Sequence, residues 1–296
     1  LHSLSRRQRQ MCIRDRGGVE QVGQNMTAIE VGDDIIVIDA GFEFKSEVTP
    51  GIDYILPNTQ YLEERKDKIK GLFITHGHLD HIGAIPYVIE KIGLPPIYSR
   101  EFGAVMIKKR QSEFPHIKTP PINILDGDET VVISENLKVE TFAISHTIPD
   151  SMGLIIHTHL GDIVFVEDVR VDNIQGVPTD EEVEQYKRFK DKDILMLTMD
   201  STSVEKPGWS LSEQEVIKNV ETIIKDTQGR LFIAAFASQV ERLTAIVHLA
   251  EKYGKKIVIE GRSMKANLEI AKQLKILQAD NICLLYTSDA ADEIAS

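Results

Sequence analysis

Three imidazoles and a carboxylate fall within six residues of this chain, in the run Thr75-His76-Gly77-His78-Leu79-Asp80-His81-Ile82-Gly83. Imidazole nitrogen and carboxylate oxygen together suit zinc, manganese or iron. Four such groups packed side by side repel one another or stay poorly solvated unless a cation sits among them. A solvated loop that is merely rich in histidine is the bland alternative, and the density of the run speaks against it. The apolar stretch Gly71-Leu72-Phe73-Ile74 comes just before, so the motif reads as a strand emptying into a loop, with a helix beginning near Asp80. His76 and His78, two positions apart, share one side of an extended segment. Asp80 and His81 then face the same crevice from the helix start, at a strand's carboxyl end.

Other candidates lie at the ends of predicted strands. Ile35-Ile36-Val37-Ile38 ends in Asp39, which either supports the metal histidines or closes a turn. Leu137–Ile144 delivers His146, Asp162–Val166 ends in Glu167-Asp168, and Ile194–Thr198 ends near Asp200. Asp200 reads as a supporting or acid-base carboxylate, or as an Asx-turn residue. Apolar spacing at Ile82, Ile85, Val88, Ile89 and Ile92 predicts a helix, stopped by Gly93 and Pro95-Pro96. Further helices are expected over Tyr61–Lys68, Phe102–Arg110 and Glu181–Lys192. Many short strands with few helices suit two stacked sheets with helices outside. From about residue 204 the rhythm changes: a Ser-x-x-Glu capping box at Ser210 or Ser212 opens a helix. Strand Leu231–Ala235, helix Val240–Tyr253, strand Lys256–Glu260 and a helix from about Met264 to Leu277 follow, implying a parallel sheet in a second domain. Ser238 and Arg262, each between a strand and a helix, could meet backbone phosphates. The plain alternatives are an N-cap serine and a surface arginine.

The chain has 296 residues, 42% of them hydrophobic, and a formal net charge of −12. That length makes one large domain or two ordinary ones. The charge excludes a generally basic nucleic-acid binder, though not one that grips its ligand through metals and a local basic groove. No apolar run is long enough to span a membrane, no signal-peptide pattern opens the chain, and a cytoplasmic location is the expectation. Cys12 and Cys283 form no metal-spaced pair. Residues 1–16 and 283–296 continue no neighbouring periodicity and look like read-through of adapter sequence, so both are set aside as non-native, and the native protein is expected to run on past Ile282. His157 and His159 read as strand-surface residues with no carboxylate spaced near them in sequence, and Lys108-Lys109-Arg110 as a solvated face or the border of a ligand groove.

Taken together, the His-x-His-x-Asp-His run, His146 and Asp168 resemble the metallo-β-lactamase superfamily. Asn25-Met26-Thr27, Ile38-Asp39-Ala40-Gly41, His146-Thr147-Ile148-Pro149-Asp150-Ser151, Asp200-Ser201-Thr202, Phe236-Ala237-Ser238 and Gly261-Arg262-Ser263-Met264 narrow the resemblance to the ribonuclease J family, in the β-CASP branch. It covers about residues 17–282. It implies an α/β chain: a metallo-β-lactamase αββα sandwich at 17–203, then the start of a parallel β-CASP domain at 204–282. His76, His78 and His146 would hold one metal, Asp80 and His81 a second, with Asp168 bridging and Asp39 in support. A further histidine and a phosphate-binding segment of the family are missing, so this chain is expected to hold one metal weakly and to be inactive alone. Glu167 stands where the family carries glycine, which could alter the turn or crowd the metals.

The resemblance implies a metal-dependent ribonuclease acting as a 5′-3′ exonuclease, an endonuclease or both. Asp80, Asp168 and Asp200 would be its catalytic carboxylates and Ser238 and Arg262 its RNA contacts. Two divalent metals about 3.5–4 Å apart can share a hydroxide and clamp both oxygens of an in-line displacement. Zinc is the expected metal, with manganese or magnesium as alternatives, and the full-length protein is expected to form a dimer or tetramer. Rival readings are a small-molecule metallo-hydrolase of the same superfamily and an inactive RNA-binding or scaffold homologue. The segment beyond residue 204 argues against the first, and the intact ligand set against the second.

Overall fold

The computed structural model describes residues 11–19, 22–44, 49–279 and 282–284. In chain order the first elements are β1 (Met11–Gly17), β2 (Met26–Val31), β3 (Asp34–Ile38), the two-residue pair β4 (Glu43–Phe44) and β5 (Tyr54–Ile55), and α1 (Gln60–Glu63). Then come β6 (Ile69–Phe73), α2 (Leu79–Ile82), α3 (Ile85–Val88), β7 (Ile97–Ser99), α4 (Glu101–Ser112) and β8 (Ile122–Ile124). A second group holds β9 (Thr130–Ser134), β10 (Leu137–Ala143), β11 (Met152–Thr158), β12 (Gly161–Val166), the pair β13 (Asn173–Ile174) and β14 (Val177–Pro178), α5 (Asp180–Tyr186) and β15 (Ile194–Met199). The last group is α6 (Glu213–Asp226), α7 (Val240–Lys252), β16 (Ile257–Ile259), α8 (Arg262–Gln273) and β17 (Ile282–Leu284).

Among these residues the chain forms two compact units. One takes the chain up to His146, Asp150–Arg170 and Val183–Ser203; the other takes Thr147–Pro149, Val171–Glu182 and the chain from Val204 on. The first unit contains two sheets, ordered β1-β2-β3-β6-β7-β8 and β15-β12-β11-β10-β9. Strand alternation divides their side chains between layers. Ile36, Ile38 and Phe73 of the first sheet meet Val139, Leu154, Ile156, Ile163 and Phe165 of the second in the sandwich interior. Ile35, Val37 and Leu72 point the other way, onto Ile82, Ile85, Val88 and Ile107. The outer face of the second sheet, at Phe142, Ile155 and Val164, is covered by Tyr186 and Phe189. Helix, sheet, sheet and helical cover make the expected αββα sandwich. Because both faces of β3 are buried, its sequence is an unbroken apolar run rather than an alternation.

Several local expectations change. The helix expected through Ile82–Ile92 is two single turns, α2 and α3. Its backbone bonds are diverted: the Ala84 N–H donates to the Ala40 carbonyl at 2.9 Å, and the Asp80 carbonyl accepts from Asn25 N–H at 3.2 Å. Pro86, with no N–H, then sits in the first turn of α3, where none is needed. The helix expected over Tyr61–Lys68 shrinks to α1 and a 3-10 turn at Lys66–Lys68. Residues 11–17, set aside as foreign, pair with β2 at the sheet edge, where backbone bonds are indifferent to side chain.

In the second unit the capping box is as expected: Ser212 Oγ accepts the Glu215 N–H at 3.2 Å, and Glu215 reaches back to the Ser212 N–H. The strand expected at Leu231–Ala235 is not a strand. β16 pairs with β17, no ladder partner lies beside 231–235 among the described residues, and Phe232 is 89% exposed.

One glycine shows how tightly the chain closes below the sandwich. A Cβ on Gly41 would lie 1.4 Å from the Asp80 carbonyl oxygen, a backbone atom that cannot swing aside. Gly41→Ala is expected to destabilise the chain by at least about 2 kcal/mol, read as a lowered urea midpoint with unchanged slope.

Candidate metal centre

The site lies at the carboxyl ends of β3, β6, β10 and β12, and its construction begins with Asp39. Just past β3, Asp39 adopts φ 59°, and its N–H donates to the Phe73 carbonyl at 2.8 Å. That turn aims its carboxylate at the end of β6. There Oδ1 accepts the Thr75 N–H at 2.8 Å, and Oδ2 accepts the Thr75 hydroxyl at 2.7 Å. The same Oδ2 lies 2.8 Å from Nδ1 of the wholly buried His81. Backbone bonds fasten the surrounding loop: Ala40 N–H to the His81 carbonyl at 2.8 Å, and Gly41 N–H to the Asn25 carbonyl at 2.9 Å. With Nδ1 engaged by Asp39, His81 turns Nε2 toward Asp80 and Asp168.

Two groups of donors result, His76-His78-His146-Asp168 and Asp80-His81-Asp168. In the first, His78 Nδ1 lies 3.0 Å from His76 Nε2 and 3.2 Å from His146 Nε2. Asp168 Oδ2 lies 3.6 Å from His76 Nε2 and 3.5 Å from His146 Nε2. In the second, His81 Nε2 lies 3.5 Å from Asp80 Oδ2 and 3.6 Å from Asp168 Oδ1. Tetrahedral ligands bound at zinc-like lengths stand about 3.3–3.6 Å from one another. The donor sets therefore fit a divalent metal each, and Asp168 offers one oxygen to each group.

The electrostatics match. Burial, then the charges of His81, His78 and His146, hold His76 well below the ordinary imidazole range. Burial likewise brings His146 down to about 4. Both are neutral at neutral pH, with lone pairs to give. Burial pushes Asp168 upward, but its hydrogen bond with His81 and the nearby imidazoles prevail, leaving it at about 2. Asp80 is lowered against the same burial by His81. Burial pulls His81 down, yet Asp39, Asp168 and Asp80 together lift it well above its ordinary value. Glu167, which burial and then Asp39 raise to about 8, is uncharged at neutral pH. It adds bulk beside Asp168 without adding charge.

The remaining expected residues are placed as follows. Asp39 sits against His81, as described. Asp200 follows β15, and its Oδ1 accepts the Thr202 N–H at 2.6 Å in an Asx turn; it is outside both donor groups, though its charge acts on Glu167. In the second unit Ser238 lies in a turn before α7, whose N-cap is Gln239, and Arg262 is the exposed first residue of α8. Asn267 Nδ2 donates to the Ala237 carbonyl at 2.8 Å, tying that turn to α8.

Sequence reasoning missed Thr75, which gives Asp39 two hydrogen bonds. It also assigned no role to the Asn25 side chain, whose Nδ2 lies 3.0 Å from His81 Nε2. His157 lies on strand β11, as expected, and carboxylates that its sequence spacing did not suggest, Asp162 and Glu140, flank its ring at 2.8 and 3.0 Å, brought there by hairpin pairing across β10, β11 and β12. Arg110 is not a free basic residue: it reaches Tyr87 and Glu113 and lies over the Phe114 ring.

Asp39→Ala removes the acceptor that orients His81. It is expected to weaken the metal step that uses His81 by about tenfold to a hundredfold, measured by calorimetric titration with zinc, and to weaken the other step less, through the freed Thr75 that precedes His76.

The Metallo-beta-lactamase superfamily profile matches residues 19–196, and that of the Ribonuclease J, beta-CASP domain matches residues 228–295. The chain is 34% identical to Ribonuclease J of Mycoplasma pneumoniae, over 92% of this chain and 48% of that protein. It is 32% identical to Ribonuclease J of Thermus thermophilus, over 94% of this chain and 49% of that protein. It is 30% identical to Ribonuclease J2 of Bacillus subtilis, over 92% and 49%. This chain thus spans about half the length of the curated relatives it matches. A crystal structure of a protein of unknown function from Enterococcus faecalis shares the fold with a TM-score of 0.62 at 18% identity, covering 90% of this chain and 68% of that one. With its sandwich, its two donor groups and these matches in hand, the chain belongs to the metallo-β-lactamase superfamily, and its later part matches the ribonuclease J β-CASP domain.

Proposed function

We propose that this chain is the metal-holding part of a ribonuclease that hydrolyses RNA phosphodiesters, internally, from a 5′ end, or both. The observation that carries the reading is Asp168, whose two oxygens stand 3.5–3.6 Å from imidazole nitrogens of two different donor groups. One carboxylate serving two neighbouring sites is the arrangement a dinuclear centre requires. Two divalent metals held there would make water acidic enough to supply hydroxide near neutrality and would clamp both oxygens of an in-line phosphoryl displacement.

The protein's own part follows from the side chains. His76, His78 and His146 form the first cradle, Asp80 and His81 the second. Asp39 fixes the His81 ring, so that its Nε2 needs no reorientation when a cation arrives. Asp200 is the group we assign to pass a proton, through its second carboxylate oxygen. Ser238 and Arg262 are assigned to the RNA backbone, where a hydroxyl and a guanidinium suit phosphate oxygens. A chain of net charge −12 has to grip a polyanion through such local groups and through its metals. Residues 17–203 are assigned to the metallo-β-lactamase domain and 204–282 to part of a β-CASP domain. Imidazole-rich donor sets favour zinc, with manganese next. The full-length protein is assigned a dimeric or tetrameric assembly and a cytoplasmic place, on family resemblance. No helix among the described residues is long and apolar enough to cross a membrane.

The test is His76→Ala in the full-length protein. RNA cleavage is expected to be lost, and retained turnover sinks the catalytic reading. Elemental analysis of this chain after mild dialysis is expected to give one to two metals per chain; a folded chain holding none contradicts the assigned ligands.

A further inference from the structure

The ligand His146 stands on a loop whose ends are secured. The Ile144 N–H donates to the Ser151 carbonyl at 3.1 Å, and the Met152 N–H donates to the Thr75 carbonyl at 3.0 Å. Between those ends lies Asp150, with φ 61°, a conformation that costs any residue but glycine and is tolerated best by Asn and Asp. The carboxylate of Asp150 accepts the N–H of Phe102, in the first turn of α4, at 3.0 Å.

That helix needs the acceptor. Its own N-cap is Arg100, which has no side-chain oxygen and makes no side-chain cap bond. Arginine is a poor cap, because the first-turn N–H groups want an oxygen from Ser, Thr, Asp or Asn. The oxygen is supplied from 48 residues away in sequence. Arg100 itself, its side chain only 11% exposed, feels the charge of Asp150 and donates to the Gly127 carbonyl at 2.9 Å. Asp150 thus meets two complementary partners at one helix end.

The helix so capped also backs the loop that carries the other two histidines of the first donor group. A Cβ on Gly77, between His76 and His78, would come 3.0 Å from Met106 Cγ and 3.6 Å from Gly103 Cα, both on α4. One wall therefore backs the His76-Gly77-His78 loop, and Asp150 pins the His146 loop to the same wall. The positive φ at Asp150 has a use: it turns the carboxylate toward α4 within a loop that is already tied at both ends.

We propose that Asp150 is a positioning residue for the first metal site, holding His146 in register with His76 and His78 by capping α4. This rests on the metal-centre reading above. Loss of the cap leaves His146 on its loop but frees the loop from the wall, so the site has to collect its third imidazole at each binding event. The expected effect is on the affinity of the tighter metal step, of about tenfold.

The test is calorimetric titration with zinc alone, on this chain and three variants. Asp150→Gly keeps the backbone conformation and removes the acceptor. Asp150→Asn keeps both an acceptor and a residue at ease with positive φ. Ser212→Ala removes the corresponding cap of α6, as a control for general destabilisation. Asp150→Gly is expected to weaken the tighter zinc step about tenfold, with Asp150→Asn within about threefold and Ser212→Ala unchanged. If the glycine variant does not fold, Asp150→Ser replaces it, and its shorter acceptor is expected to weaken the same step about threefold or more. Zinc affinity unchanged in whichever of these two variants folds, or lowered equally by Ser212→Ala, overturns the proposal. An unmodified chain that takes up no zinc overturns the metal reading, and this proposal with it.

Discussion

The bond between Asp39 and His81 is the contact on which the rest of the site depends. It joins the end of β3 to α2, and both partners are out of water, at 1% and 0% exposure. A buried carboxylate with a single partner would be costly, and here it has three donors: the Thr75 amide, the Thr75 hydroxyl and the His81 ring. The same residue that anchors the loop after β6 therefore also decides which nitrogen of His81 faces the cations. Structure and chemistry share one carboxylate, so there is no way to loosen the first without misdirecting the second.

Much of this was legible in the sequence wherever the controlling contact is local. The Ser212 capping box needs only residues three apart, and it formed as expected. The His-x-His-x-Asp-His run could be read as a strand, a loop and a helix start because periodicity changes within it. Asp39 could be picked out as a carboxylate at a strand end. What could not be read is set by contacts between distant segments. Thr75 and Asn25 stand in stretches the sequence singles out, but their roles are not legible there, since they come from β3 and β6 being neighbours and from the bonds that join Asn25 to Gly41 and Asp80. The helix through Ile82–Ile92 had the right apolar spacing and failed because its backbone groups found better use in docking the Asp39 loop. Leu231–Ala235 has strand composition but no ladder to join, and β propensity without a partner strand is only a preference for a surface that is not there.

Glu167 illustrates how one unusual residue is accommodated. It stands one position before Asp168, in a place already crowded with Asp39 and Asp200. A third ionised carboxylate there would compete with the ligands for any cation and raise the cost of the metal-free state. Burial first, and then Asp39, instead push the acid up to about 8, so near neutrality Glu167 adds volume more than negative charge.

The donors of the centre come from three strand ends in two different sheets, β6 in one and β10 and β12 in the other, with Asp39 at the end of β3 in support. The four donors that follow β6 are neighbours in sequence, but His146 and Asp168 reach them only when both sheets are built and stacked. Neither donor group is whole until that slow, long-range pairing is complete, so the finished site cannot nucleate the fold. A metal that binds after this point stabilises the finished structure without lowering the barrier to reaching it, and so acts on the rate of unfolding rather than that of folding. A cation held by these donors would, by this geometry, also be the latch that sets the lifetime of the folded chain.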